Sequence, residues 1–137
     1  MSEDKKSVIL AEDSPTNRTV IKHLLLKLGF SVIECETGKI AWQALQAEYE
    51  KENVVAVISD IMMPDMDGID FLEMVRDEEK YKSLPFVLVT AVMEKEQVVS
   101  AKKLGVNGYI LKPVTFQRIS AKMKELFPEH KFPRMAA

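Results

Sequence analysis

Val54-Val55-Ala56-Val57-Ile58-Ser59-Asp60 is the segment on which the fold turns. Five apolar residues, mostly β-branched and without polar alternation, predict a short strand buried on both faces. A strand covered on both sides needs helices above and below it, which is the habit of parallel sheets. The run ends in a serine and an aspartate, so a charge is expected at the carboxyl edge of the strand.

The same grammar repeats in both directions. Toward the N-terminus, Ile40, Ala41, Ala44, Leu45 and Ala47 mark a helix, and Ser31-Val32-Ile33-Glu34-Cys35 reads as a weaker strand. Val20, Ile21, Leu24, Leu25 and Leu28 recur at helical spacing, with Ser14-Pro15 as a start signal and Gly29 as a stop. Val8-Ile9-Leu10-Ala11 is another short buried strand, closed by Glu12-Asp13. Toward the C-terminus, a turn with Pro64, Asp65, Asp67 and Gly68 leads to a helix through Phe71, Leu72, Met74 and Val75. Phe86 to Val89 predicts a fourth strand, ending at Thr90-Ala91. A fourth helix, from about Met93 to Leu104, has the poorest apolar stripe. Gly108 to Leu111 is the fifth strand, followed by Lys112-Pro113. Thr115 caps a last helix carrying Ile119, Met123, Leu126 and Phe127, and Pro128 stops it. Five strands alternating with five helices through short links predict right-handed crossovers and a mainly parallel α/β sheet.

With 137 residues, 47% of them hydrophobic, the chain suits one core. A net charge of −2 advertises neither nucleic acid nor an anionic membrane surface as a partner. Cys35 is the sole cysteine, and His23 and His130 lie far apart, so the sequence shows no zinc-type cluster. No stretch is long and apolar enough for a membrane span, and the N-terminus lacks a signal-like run, so the expected setting is the cytoplasm.

The unusual polar residues all fall at strand ends: Glu12 and Asp13, Asp60, Thr90 and Lys112. In an open parallel sheet, ligands bind at the carboxyl ends of the strands. If the first and third strands are neighbours, three carboxylates meet there. Two unit charges about 4 Å apart repel by roughly 4 kcal/mol at an effective dielectric near 20. A proton or a cation must relieve that, and hard oxygen ligands at a solvent-open edge favour Mg²⁺. Lys112 would supply the remaining positive charge, and an aspartate is a competent nucleophile for phosphoryl transfer.

At this point Ile58 to Gly68 closely resembles the acceptor segment of two-component response-regulator receiver domains. Glu12-Asp13, Thr90-Ala91 and Lys112-Pro113 resemble that family's acidic pair, switch hydroxyl and lysine–proline element. The similarity runs from about Val8 to Phe127. It implies the flavodoxin-like, doubly wound fold with strand order 2-1-3-4-5, a receiver domain over residues 1–127 and a tail over 128–137. It also implies that Asp60 is phosphorylated, with Thr90 and Lys112 assisting the chemistry. Asp13, Asp60 and the Met62 backbone carbonyl would ligate Mg²⁺, and Glu12 would act through a metal-bound water. Thr90 and Tyr109 would form the switch, and the Lys112–Pro113 peptide is a cis candidate. A histidine kinase or histidine phosphotransfer protein would be the donor. The fourth helix, fifth strand and fifth helix would face a downstream protein, with the chain a monomer or a phosphorylation-dependent dimer. Glu12 departs from the aspartate of many members, and Met62 is apolar where some relatives are polar.

Other readings compete at individual positions. Asp65 and Asp67, beside Pro64 and Gly68, read as turn and cap residues. Met62, Met63 and Met66 form an apolar rim suited to docking or to covering the loop. His23 reads as a surface helix residue, and Trp42 and Cys35 as packing residues. A Mg²⁺-dependent nucleic-acid enzyme would use Glu12 with the Asp65-x-Asp67 pair, but the net charge opposes it. A haloacid-dehalogenase-type phosphatase would need an acid where Met62 stands. A dinucleotide site would need a glycine-rich first turn, where Ser14-Pro15-Thr16-Asn17 stands instead. A scaffold that has lost phosphorylation would be missing one of these polar residues, and all are present.

Overall fold

A computed structural model describes residues 5–91 and 94–134. Five strands and five helices alternate: β1 (Ser7–Ala11), α1 (Pro15–Lys27), β2 (Ser31–Cys35), α2 (Gly38–Glu48), β3 (Val54–Asp60), α3 (Gly68–Asp77), β4 (Phe86–Thr90), α4 (Lys95–Lys103), β5 (Gly108–Leu111) and α5 (Phe116–Leu126). The strands form one parallel sheet in the order β2-β1-β3-β4-β5, as the alternation and the family resemblance led us to expect. The expected start of the fourth helix at Met93 lies outside the described residues.

Burial follows position in the sheet. The central strands β1 and β4 are buried at every residue and β3 at all but Val55, whereas the edge strands β2 and β5 are mostly half-buried. That explains the weak strand signal of Ser31–Cys35: an edge strand has less to bury. Side chains alternate between two cores. Ile9, Ala11, Val57 and Leu88 pack on one face with Leu45, Phe71 and Leu72; Val8, Leu10, Ile58 and Val87 pack on the other with Ile21, Leu25 and Ile119. Each fully buried Val, Leu, Ile or Phe contributes roughly 1.5–3 kcal/mol relative to exposure.

Local chemistry sets the helix ends. Ser14 Oγ accepts from the Asn17 amide, with Pro15 as the first helical residue of α1. Asp67 accepts from the Asp70 amide at 2.8 Å, and Thr115 accepts from the Arg118 amide at 3.2 Å. After Leu28 the chain turns through Gly29 at φ +91°, which a side chain would oppose. Beyond α5 the chain returns over Phe30: His130 stacks on that ring at 4.3 Å, and its Nε2 donates to the Leu28 carbonyl at 2.9 Å.

The entry into α3 is the tightest passage near the carboxyl edge. The Gly68 amide donates to the Ile61 carbonyl at 2.9 Å, and a Cβ at Gly68 would lie 2.3 Å from the Asp60 carbonyl oxygen. The atoms nearest a Cβ at Gly108 belong to the flexible Lys122 side chain, the first at 2.8 Å. Gly68→Ala is therefore expected to cost on the order of 2 kcal/mol in urea denaturation, as overpacking does. Gly108→Ala should cost less than about 1 kcal/mol, because a side chain can move where a backbone cannot. Equal losses would show that the close approach at Gly68 is not the constraint.

Candidate functional site

Parallel pairing of β1 with β3 puts Ala11 opposite Ser59, so the residues that follow, Glu12, Asp13 and Asp60, emerge together. One carboxylate oxygen from each lies within 4.8 Å of the other two. Glu12 and Asp60 are buried, at 1% and 5% exposure, while Asp13 opens to solvent. β4 sits beside β3 with Val89 opposite Asp60, which brings buried Thr90 to the same edge. The Lys112 amide donates to the Thr90 carbonyl at 2.8 Å, and the Lys112–Pro113 peptide is cis. From the end of β5, Lys112 Nζ reaches Asp60 Oδ2 and Glu12 Oε1, each at 3.0 Å.

Among the described residues the ammonium of Lys112 pairs with two of the three carboxylates, Glu12 and Asp60. At separations under about 5 Å each carboxylate pair repels by roughly 3–4 kcal/mol at an effective dielectric near 20. Burial raises the Glu12 pKa above its ordinary value; the neighbouring Asp60 charge adds to the rise, and Lys112 with the Ser14 amide only partly offsets it. For Lys112, burial opposes the charged form, but Glu12 and Asp60 outweigh it and its pKa is raised. The lysine therefore stays cationic.

The turn carrying Glu12 is held on every side. Its amide donates to the Cys35 carbonyl at 3.0 Å, and Oε2 accepts from the Ser14 amide at 3.1 Å. The Glu12 carbonyl accepts from the Arg18 guanidinium at 2.8 Å. Oε1 is buried and has the Lys112 charge beside it, but no directed hydrogen bond among the described residues. An all-oxygen set, with one under-satisfied buried oxygen and one solvent-open carboxylate, fits a hard divalent cation.

The remaining predicted residues sort themselves by place. Met62 is 70% exposed beside the acceptor edge, whereas Met63 and Met66 pack partly against the core. Asp65 accepts from the Lys39 amide at 3.2 Å, and Asp67 caps α3, so both acids are engaged at helix starts. Among the described residues the metal-type cluster is Glu12, Asp13 and Asp60, without Asp65 or Asp67. Tyr109 is half-buried on β5, with its hydroxyl buried and without a hydrogen-bond partner among the described residues. His23 is exposed, Trp42 packs edge-on against Tyr81, and burial pushes the Cys35 thiol up to about 11.

Two supporting residues escaped the sequence reading. Arg18 grips the Glu12 carbonyl, and Arg76 donates to the Leu84, Leu104 and Gly105 carbonyls and to Asn107 Oδ1. A basic residue five positions past an acidic pair offered a faint signal for Arg18. Arg76 offered none, because its acceptors come from separate loops.

A parallel 2-1-3-4-5 sheet with acids after β1 and β3, a hydroxyl after β4 and a lysine after β5 defines a class of signalling domain. The profile of the response regulator receiver domain matches residues 8–124, and the chain belongs to that family. A chemotaxis protein CheY homolog of Campylobacter jejuni is 38% identical over 120 residues, covering 87% of this chain and 90% of that protein. Chemotaxis protein CheY of Pseudomonas aeruginosa is 37% identical over 121 residues, covering 88% and 94%. Among solved structures, chemotaxis protein CheY4 of Vibrio cholerae aligns with a TM-score of 0.78 at 26% identity, covering 89% of this chain and 98% of that one. A response regulator receiver domain protein of Clostridium thermocellum shares the fold at a TM-score of 0.80 and 22% identity, covering 90% and 94%.

The strain on Glu12 has a measurable consequence. Because the folded state raises its pKa, protonated Glu12 contributes stability that is complete below the unfolded-state value near 4.5 and is lost as pH rises through the folded-state value. Glu12→Gln removes that loss. In urea denaturation with chelator present, the variant should gain on the wild type as pH rises from 4.5 toward 7. A gap that stays constant with pH would show that Glu12 is not strained.

Proposed function

We propose that this receiver accepts a phosphoryl group on Asp60 and changes its protein-binding surface in response. The observation that carries this reading is the meeting of Glu12, Asp13 and Asp60 at one edge, with Lys112 Nζ 3.0 Å from Asp60 Oδ2. Asp60 is the acid best placed for attack, since it ends β3 in the middle of the site and the lysine already touches its carboxylate.

The donor is a phosphohistidine on a histidine kinase or a histidine phosphotransfer protein. An Asp60 carboxylate oxygen forms the new O–P bond as the P–N bond breaks, and the imidazole departs with the electron pair and takes up a proton. Lys112 moves with the charge: it pairs with the carboxylate before transfer and with a phosphoryl oxygen after it. Thr90, at the end of β4, supplies a hydroxyl donor to a second phosphoryl oxygen. Asp13, Asp60 and the Met62 backbone carbonyl would hold Mg²⁺ directly and Glu12 would hold it through a metal-bound water, and the ion would supply positive charge beside the transferring group. Hydrolysis of the acyl phosphate returns the carboxylate, and Met62, exposed two residues after Asp60, bears on how water reaches it.

Recruitment of Thr90 toward the phosphoryl group is the step that carries the signal outward. Tyr109 stands one strand away, its ring half-buried and its hydroxyl unpaired among the described residues, so a new local packing has little hydrogen bonding to undo. Val99 on α4 and Leu111 on β5 expose apolar surface. A downstream protein docks on this α4–β5–α5 face, and the domain of residues 1–127 works as a cytoplasmic switch, not as an enzyme acting on other substrates.

Incubation with acetyl phosphate and Mg²⁺ should add about 80 Da to the intact chain, the mass of one phosphoryl group on an aspartate. Asp60→Asn should abolish the adduct, and Lys112→Met should slow its formation at least tenfold by removing the cation beside the transferred group. An adduct that persists in Asp60→Asn would sink the assignment.

A further inference from the structure

We propose that Arg18, anchored by Glu34, is a positioning residue that sets the divalent-cation affinity of the acidic site. This inference rests on the function proposed above and names a residue outside the metal and phosphoryl ligands.

The argument starts at the sharp turn from β1 into α1. Two of the three carboxylates ride on that turn, and a small hard cation tolerates little error in the placement of its oxygens. The turn therefore has to be held from outside the ligand set. Arg18, the fourth residue of α1, reaches back to donate to the Glu12 carbonyl at 2.8 Å. Only 16% of its side chain is exposed, so this is a packed guanidinium and not a waving surface charge. Its Nε lies 3.5 Å from Glu34 Oε1 on the neighbouring strand β2. Glu34 is itself fixed by Lys22 Nζ, 2.8 Å from its other oxygen, and Lys22 with Arg18 holds its carboxyl below the usual range. The chain of contacts thus runs from α1 to β2 and back to the backbone of the acidic pair.

Geometry separates this from an ordinary surface ion pair. A pair between Arg18 and Glu34 alone would add little. Here the guanidinium spends one nitrogen on the carboxylate and another on a backbone carbonyl, which a fork-shaped donor can do and an ammonium does poorly. The Glu12 amide is fixed to the Cys35 carbonyl on β2, so both backbone polar groups of Glu12 are tied to the β2 side of the turn, one directly and one through Arg18 and Glu34. Loss of Arg18 leaves the peptide after Glu12 free to rotate, and that peptide leads straight into Asp13. Outer contacts that orient metal ligands typically govern affinity by 10–100-fold.

The test is a Mg²⁺ titration of the wild-type chain, Arg18→Ala, Arg18→Lys and Glu34→Gln. It is read as the Mg²⁺-dependent rise in melting temperature and as the Mg²⁺ concentration that half-saturates labelling by acetyl phosphate. Arg18→Ala should raise the half-saturating concentration about tenfold or more, while the labelling rate at saturating Mg²⁺ stays within about twofold. Arg18→Lys and Glu34→Gln should shift it in the same direction by less, and they carry the test if Arg18→Ala does not fold. A merely structural arginine would lower the melting temperature without Mg²⁺ and leave half-saturation unchanged, which overturns the inference. If the wild-type chain itself shows no response to Mg²⁺, the proposed function falls together with it.

Discussion

Three carboxylates share one edge of the sheet with a single ammonium, and much of the structure is arranged around that imbalance. Lys112 touches Glu12 and Asp60 but cannot neutralise both along with Asp13. Burial makes the shortfall more costly, since Glu12 is 1% and Asp60 5% exposed. A site held in this condition has an affinity for positive charge built into its ground state. It is also ready to take up an anionic group once a divalent cation is present, because the lysine and the metal then balance the charge of the three carboxylates. Folding tolerates the strain because the two cores of the sheet bury enough apolar surface to offset it.

Parallel pairing is what concentrates the acids. In a parallel sheet every strand ends on the same side, so residues just past β1, β3, β4 and β5 converge without any long loop to carry them. The loops that remain are short and tied down. Ser14 and Arg18 fix the turn after β1, Asp65 and Asp67 fix the passage after β3 to α2 and α3, and Gly68 lets α3 begin against the Asp60 carbonyl. The edge is thus rigid where ligands must be held.

The opposite end of the same sheet is secured differently. Arg76 gathers carbonyls from the loops before β4 and after α4, and Asn107 accepts from both Arg76 and the Phe86 amide. The far end of α4 is therefore anchored, whereas Glu94 at its start makes no side-chain cap. Sparse apolar content left α4 with a single buried residue, Ala101, and much of its surface to solvent. The helix is thus held at one end and lightly packed along its length.

Much of this was legible before any coordinates. Local rules act over a few residues, so Val54–Asp60, Ser14-Pro15, Asp67 and Thr115 declared their strand and caps unaided. Because strand ends alternate with helix starts, even the position of each acid on an edge could be read from the chain. Likeness to a family supplied the strand order. The sequence by itself determined the alternation of elements, the two-faced burial of the central strands and the identities of the residues at the strand ends. Only the tertiary structure decided that Lys112 bridges Glu12 and Asp60, that Glu12 is the strained acid, that Arg18 joins Glu34 on β2 to the Glu12 carbonyl, and that Arg76 reaches the Leu104 and Gly105 carbonyls. Those outcomes depend on distances between segments dozens of residues apart, and charge interactions fall so steeply with distance and exposure that no linear pattern encodes them.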